Sequence, residues 1–114
     1  MLNQVTIIGN LVKDAEDRIL NNGKCMTTFC VACSRNYKNS EGKYEADYID
    51  CVAFEKVGEI VGRYFSKGDS ICVTGEIQTR LYEDQEGKKH KQYVINVGKV
   101  YFTGNKRPTS EGDS

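Results

Sequence analysis

Only one segment of this 114-residue chain carries a helical period, and it falls between the third and fourth of five β-prone runs. In "EKVGEIVGRYFSKGD" the apolar residues Val57, Ile60, Val61 and Tyr64 recur at spacings of three and four, and Gly68 after Lys67 reads as a helix C-terminal signal. Gly58 and Gly62 weaken that helix, which is expected to persist by packing rather than by propensity. Around it lie "NQVTIIGNLV", the run from Cys25 to Ser34, "DYIDCVAF", the alternating run from Ser70 to Tyr82 and the return strand from Gln92 to Phe102. The first of these is apolar on both parities and suits a strand buried on both faces. Polar turns separate the runs: "KDAED", "NNGK", "RNYKNSEGKYEA" and the charged hairpin tip "EDQEGKKHK". Three strands, one helix and two strands are the order of an all-β OB-fold, a five-stranded, partly open Greek-key barrel.

Length matches one domain, placed at residues 1–103, and the polar residues 104–114, which hold the only proline, read as a disordered tail. Sixteen basic residues balance sixteen acidic ones, so attraction to a polyanion has to be local. No basic, apolar leader opens the chain and no apolar run approaches a membrane span, which reads as a cytoplasmic protein without membrane contact. The five cysteines, Cys25, Cys30, Cys33, Cys51 and Cys72, are odd in number and sit within apolar runs, as free thiols do in a reducing compartment. Cys30 and Cys33 spell C-x-x-C, but residues three apart on a strand point to opposite faces and cannot clasp one ion, so neither a metal nor another cofactor is expected. His90, among lysines, reads as solvated.

Strand parity sorts the aromatic residues. In "DYIDCVAF" one face holds Ile49, Cys51 and Ala53, and the other holds Tyr48, Asp50, Val52 and Phe54; the aspartate marks the second as outward. In the next strand Ile71, Val73, Gly75, Ile77, Thr79 and Leu81 form the inward set, leaving Arg80 and Tyr82 outside. Tyr37, between Arg35 and Lys38, is a third exposed ring. Flat rings on a wet sheet face, interleaved with cations, form a platform on which unpaired bases can stack at about 1 to 3 kcal/mol each, whatever their sequence. Arg35, Lys38, Lys43, Lys56, Lys67, Arg80, Lys88, Lys89 and Lys91 are then candidate phosphate contacts. Exposed tyrosines also cap strand edges and pack under loops, a reading that parity alone leaves open and that fits Tyr44 and Tyr93. Tyr64, Phe65, Phe29 and Phe102 are expected in the core.

Over residues 1–102 the chain resembles the bacterial and phage single-stranded DNA-binding proteins, from "MLNQVTIIGNLVKDAE" through "ACSRNYKNSEGKYEADYIDCVAFEKVGEIVGRYFSKGDSICVTGEIQTRLYEDQEG" to "YVINVGKVYF". The resemblance implies a non-enzymatic homotetramer that wraps single-stranded DNA without sequence preference during replication, recombination and repair. It carries the family's stacking positions onto Tyr37, Tyr48, Phe54 and Tyr82, where many members have three tryptophans and this chain has none. Weaker stacking per base is expected from the smaller ring. Lys56, Lys67 and Arg80 match basic positions, whereas Asp50 stands where some members are basic. Many members end in a Gly-, Pro- and Gln-rich linker with an acidic tip that recruits replication partners; this chain stops at "TSEGDS", so recruitment through that tip is expected to be absent. Two other readings of the same residues are an OB scaffold turned to protein binding and, with little support, a nuclease or thiol redox enzyme.

Overall fold

The computed structural model describes residues 1–103; the tail expected at 104–114 lies outside the described residues. Six strands and one helix follow in the order β1 (Val5–Leu11), β2 (Glu16–Ile19), β3 (Cys25–Lys38), β4 (Tyr44–Phe54), α1 (Glu55–Tyr64), β5 (Ser70–Glu83) and β6 (Lys89–Tyr101). The sheet runs β1-β5-β6-β4-β3-β2, and β1 also meets β3 through Asn10↔Ala32 and Leu11↔Val31. Five strands therefore close into the OB-fold barrel expected, with the helix between its third and fourth strands. Every pairing is antiparallel except β4 with β6, where Cys51 and Val52 lie beside Ile95 and Asn96.

The segment read as the turn "KDAED" departs from expectation, because its last two residues open strand β2, which is hairpinned onto the start of β3 from Glu16↔Thr28 to Ile19↔Cys25. All four of its side chains are exposed, so no burial pattern announced it. The two long hairpins also run further than their polar composition suggested, leaving tips of five residues. At each tip an Asn or Asp side chain replaces missing ladder partners. Asn39 Oδ1 accepts the N–H groups of Glu41 (2.9 Å) and Lys43 (3.0 Å), and Asp84 Oδ1 those of Glu86 and Lys88 (both 2.9 Å). Gly42 and Gly87 then turn the chain at φ 79° and 82°, a region open to glycine without strain.

The barrel interior is filled by Leu11, Phe29, Val31, Cys51, Ala53, Ile71, Val73, Ile95 and Val97, closed at one end by Val61 and Phe65. Helix α1 seats against β3 through Val57, Gly58 and Val61; Ile60 and Tyr64, expected on that stripe, face outward because the contact is centred on Gly58. A side chain at Gly58 would collide with the Thr27 side chain and the Ala53 carbonyl. Thr27 is itself fully buried, its hydroxyl donating to Asp17 Oδ1 at 2.7 Å. Gly68 is not the helix end: Phe65 leaves the helix in extended conformation, and Gly68, three residues on, bonds Leu11 O at 2.9 Å to tie the "KGD" turn to β1.

The inward set expected for β5 holds only at its start. Ile71 and Val73 are fully buried, but Ile77, Thr79 and Leu81 are exposed because the β5–β6 hairpin extends past the barrel as a two-stranded arm. β1 is likewise buried on one face only, with Ile8 61% exposed. Phe29 and Phe65 are in the core as expected, whereas Tyr64 and Phe102 lie at the surface, Phe102 stacking on Phe65 with centroids 4.8 Å apart.

Gly58→Ala is expected to destabilise the fold by about 1–3 kcal/mol through overpacking. Gly62→Ala, with only Asp17 Oδ2 at 4.0 Å near its new methyl, is expected to stabilise it by roughly 0.5–1 kcal/mol through helix propensity. Urea midpoints of the two variants should move in opposite directions.

Candidate nucleic-acid interface

Because β4 and β6 are neighbours, the outward rows of β3, β4, β6 and β5 form one continuous face. Thr28 and Cys30 on β3 are followed by Tyr48, Asp50, Val52 and Phe54 on β4, then Gln92 and Val94 on β6, then Arg80 and Tyr82 on β5. Gln92 Nε2 donates to Asp50 Oδ2 at 3.1 Å, joining the barrel to the base of the hairpin arm. Between them opens a groove of about 240 Å³, with Thr28, Cys30, Val52 and Val94 on its floor and Lys13, Glu16, Asp50, Arg80 and Gln92 around it. Val52 belongs to the outward set, as expected, yet is only 1% exposed, since this concave floor sinks it among its neighbours.

Three of the four candidate rings stand in water: Tyr37 is 61%, Tyr48 68% and Tyr82 52% exposed. Phe54 is half-buried at the point where β4 passes into α1, opposite Met26. Tyr37 lies in the irregular part of β3, where the residues from Ser34 to Lys38 span only Ala46 to Tyr44 on the partner strand. Tyr44, expected to cap a strand edge or pack under a loop, shares the alternation of Tyr48, is exposed and stands under the Lys38 ammonium, 5.8 Å from its ring centroid. Parity held the signal for it, but the residue sat in what composition made a loop. Tyr93 is equally exposed and shares the other face, beside the apolar barrel mouth lined by Val5, Ile7, Ile49 and Ile77.

The cations fall into four groups. Lys43, Lys88 and Lys89 are exposed at or beside the hairpin tips, and Arg80 and Lys13 flank the groove. Lys13, which was not among the expected contacts, lies just after the first strand, away from the aromatic residues of the sequence, and pairs with Glu16 at 3.3 Å. Lys56 lines a separate depression with Cys25, Glu55, Glu59 and Arg63, and Lys67 sits on the "KGD" turn, its N–H donating to Asp14 at 2.7 Å. Arg35 is already engaged: its guanidinium takes both oxygens of Asp47, at 2.9 and 3.2 Å, and reaches Glu45 at 3.3 Å. Those bonds hold Asp47 below the usual carboxylate range.

Cys30 and Cys33 face opposite ways, one in the groove and one against the core. Burial raises both thiols, Cys30 also through Asp50 across the ladder, and pushes Cys51 up to about 12. Among the described residues no three His, Cys, Asp or Glu side chains come together as a metal site, and no helix is long and apolar enough to cross a membrane.

A small OB barrel that turns tyrosines and cations outward on one sheet face is a nucleic-acid-binding module by architecture. The chain belongs to the single-strand binding protein family, whose model matches residues 2–103. It is 43% identical over 112 residues to single-stranded DNA-binding protein 1 of Staphylococcus aureus, covering 98% of this chain and 67% of the relative. It is 37% identical over 115 residues to single-stranded DNA-binding protein 1 of Streptococcus agalactiae, covering 100% of this chain and 69% of that protein. Against the single-stranded DNA-binding protein of Halalkalibacterium halodurans the identity is 37% over 114 residues, with 100% and 68% covered. Members of this family bind their ligand rather than transform it.

In native protein at about pH 8, an aromatic disulfide reagent is expected to label Cys25 and Cys72, which are partly exposed, and to spare Cys51 until denaturant is added. Labelling of Cys51 before unfolding, read by mass spectrometry, would place it outside the core.

Proposed function

We propose that residues 1–103 form a binding unit for single-stranded DNA, without sequence preference, that covers and protects exposed strands in the cytoplasm during replication, recombination and repair. The observation that carries this reading is the continuous outward face joining Tyr48, Phe54, Arg80 and Tyr82 across β4, β6 and β5. Bases stack on Tyr37, Tyr48, Phe54 and Tyr82, and Tyr44 extends the row. Arg80, Lys38, Lys43, Lys88 and Lys89 meet phosphates along that path. Arg35 contributes only where its carboxylate partners release it, and Lys56 and Lys67 serve strand that continues round the helix. Asp50, at the edge of the groove, works against phosphate there.

The assembly is a homotetramer. Ile8 points into water and the edge of β1 opposite β5 pairs with β3 only at Asn10 and Leu11, so among the described residues most of that edge is available to a second copy. Light scattering should give four times the chain mass; a monomer at micromolar concentration would remove this part of the reading.

The chain has no tryptophan, so tyrosine fluorescence reports on the proposed platform itself. Oligo-dT should quench it, and the binding constant should fall with salt at a logarithmic slope of about −0.7 per neutralised phosphate. Tyr48→Ala is expected to weaken binding by roughly 1–3 kcal/mol with the fold unchanged. Phe54→Ala should show a similar loss together with a lower unfolding midpoint, because that ring is half-buried. Absence of quenching at low salt would overturn the DNA reading, and a salt-independent complex with another protein would put a protein-binding scaffold in its place.

A further inference from the structure

His90 is the only histidine in the chain, and it stands directly opposite Tyr82 across the β5–β6 ladder. Its imidazole stacks on the phenol ring, with centroids 5.2 Å apart and planes 23° from parallel. On its far side Nε2 donates to Asp84 Oδ2 at 2.8 Å. Asp84 is fixed in turn by the tip, since its other oxygen takes the N–H groups of Glu86 and Lys88. The imidazole is thus held at both ends, ring against ring and nitrogen against carboxylate, although nearly half its surface is open to solvent. A merely solvated histidine would have neither constraint.

We propose that Tyr82 and His90 form one composite stacking platform on the hairpin arm, in which His90 backs the phenol ring and, once protonated, adds a positive charge beside the DNA backbone. This rests on the single-stranded DNA reading above. The titratable and charged groups around the imidazole are Tyr82 and Asp84, with Lys89 and Lys91 flanking it along β6 and Glu83 paired with Lys89 across the ladder. The bond from His90, followed by that from the Lys88 amide, keeps Asp84 below the usual carboxylate range, so the carboxylate stays charged where histidine titrates. Protonation therefore takes the Asp84–His90 pair from net negative to neutral and removes a repulsion from the arm. Affinity for the strand rises as pH falls, and by reciprocity the strand raises the pH at which His90 titrates.

The sole histidine gives a resolved imidazole resonance, which allows a direct test. Its NMR titration with and without oligo-dT is expected to shift upward on binding, while fluorescence titrations show binding roughly threefold to tenfold tighter near pH 6 than near pH 8. His90→Phe, which keeps a ring behind Tyr82 but cannot take a proton, should lose the pH dependence. His90→Gln, which retains a donor for Asp84 but has no ring, should lose the pH dependence and bind more weakly at both values. Wild-type protein that binds oligo-dT with an unmoved histidine titration, or a pH dependence that survives in both variants, would overturn the composite platform and leave the DNA reading standing. Wild-type protein that fails to bind at either pH would overturn both.

Discussion

Two residue pairs, Cys51 beside Ile95 and Val52 beside Asn96, hold this molecule in the form that matters for its face. Among the described residues they are the only parallel contact in the sheet, and they join strands separated by the helix and the whole β5 arm. Without them the β3–β4 and β5–β6 hairpins would meet only through β1, and the outward rows of β4 and β6 would not adjoin. With them, Cys51 and Ile95 enter the same core while Val52 and Val94 become the floor of the outer groove. The hydrogen bond from Gln92 to Asp50 spans the same seam. Parallel pairing across so much sequence is costly in loop-closure entropy, and the buried apolar residues on both sides of the seam offset that cost.

Charge on this chain is arranged by local pairing rather than by excess. Sixteen positive and sixteen negative residues cancel overall, but several carboxylates are placed against particular cations: Asp47 and Glu45 against Arg35, Glu16 against Lys13, Glu59 against Arg63. Exposed pairs of this kind add little stability. Their consequence is spatial, because they silence some cations and leave the tip lysines and Arg80 as the positive margin of the outward face. A basic residue's presence in the sequence therefore said little about its partners. Arg35 looked equivalent to Arg80 until its partners were visible.

The hairpin tips show how local rules and long-range placement divide the work. "NSEGK" and "DQEGK" build the same turn from the same parts: a side chain that accepts two amides, and a glycine at positive φ three residues later. "NNGK" closes the β2–β3 hairpin with a similar backbone pattern, Leu20 N–H donating to Lys24 O, Gly23 N–H donating to Leu20 O, and Gly23 turning at φ 86°. That similarity is written in the sequence, but β2 itself was hidden because none of its four residues is buried and alternation had nothing to register. The same limit explains Ile77 and Leu81. Alternation assigned them inward, and inward there means beyond the end of the barrel.

By itself the sequence determined five of the six strands, the one helix and its place in the strand order, and the side of each strand on which Tyr48, Phe54, Arg80 and Tyr82 stand. These follow from periodicity within short segments, and the backbone enforces periodicity locally. Only the tertiary structure decided which strands are neighbours, that Val52 is sunk in a groove floor, that helix α1 seats on Gly58 rather than on Ile60, that Arg35 is engaged by Asp47, and that His90 lies on Tyr82. Each of those depends on residues distant in the chain, or on a register between two strands. Such contacts are set by how the whole barrel fills its interior, which no window of sequence contains.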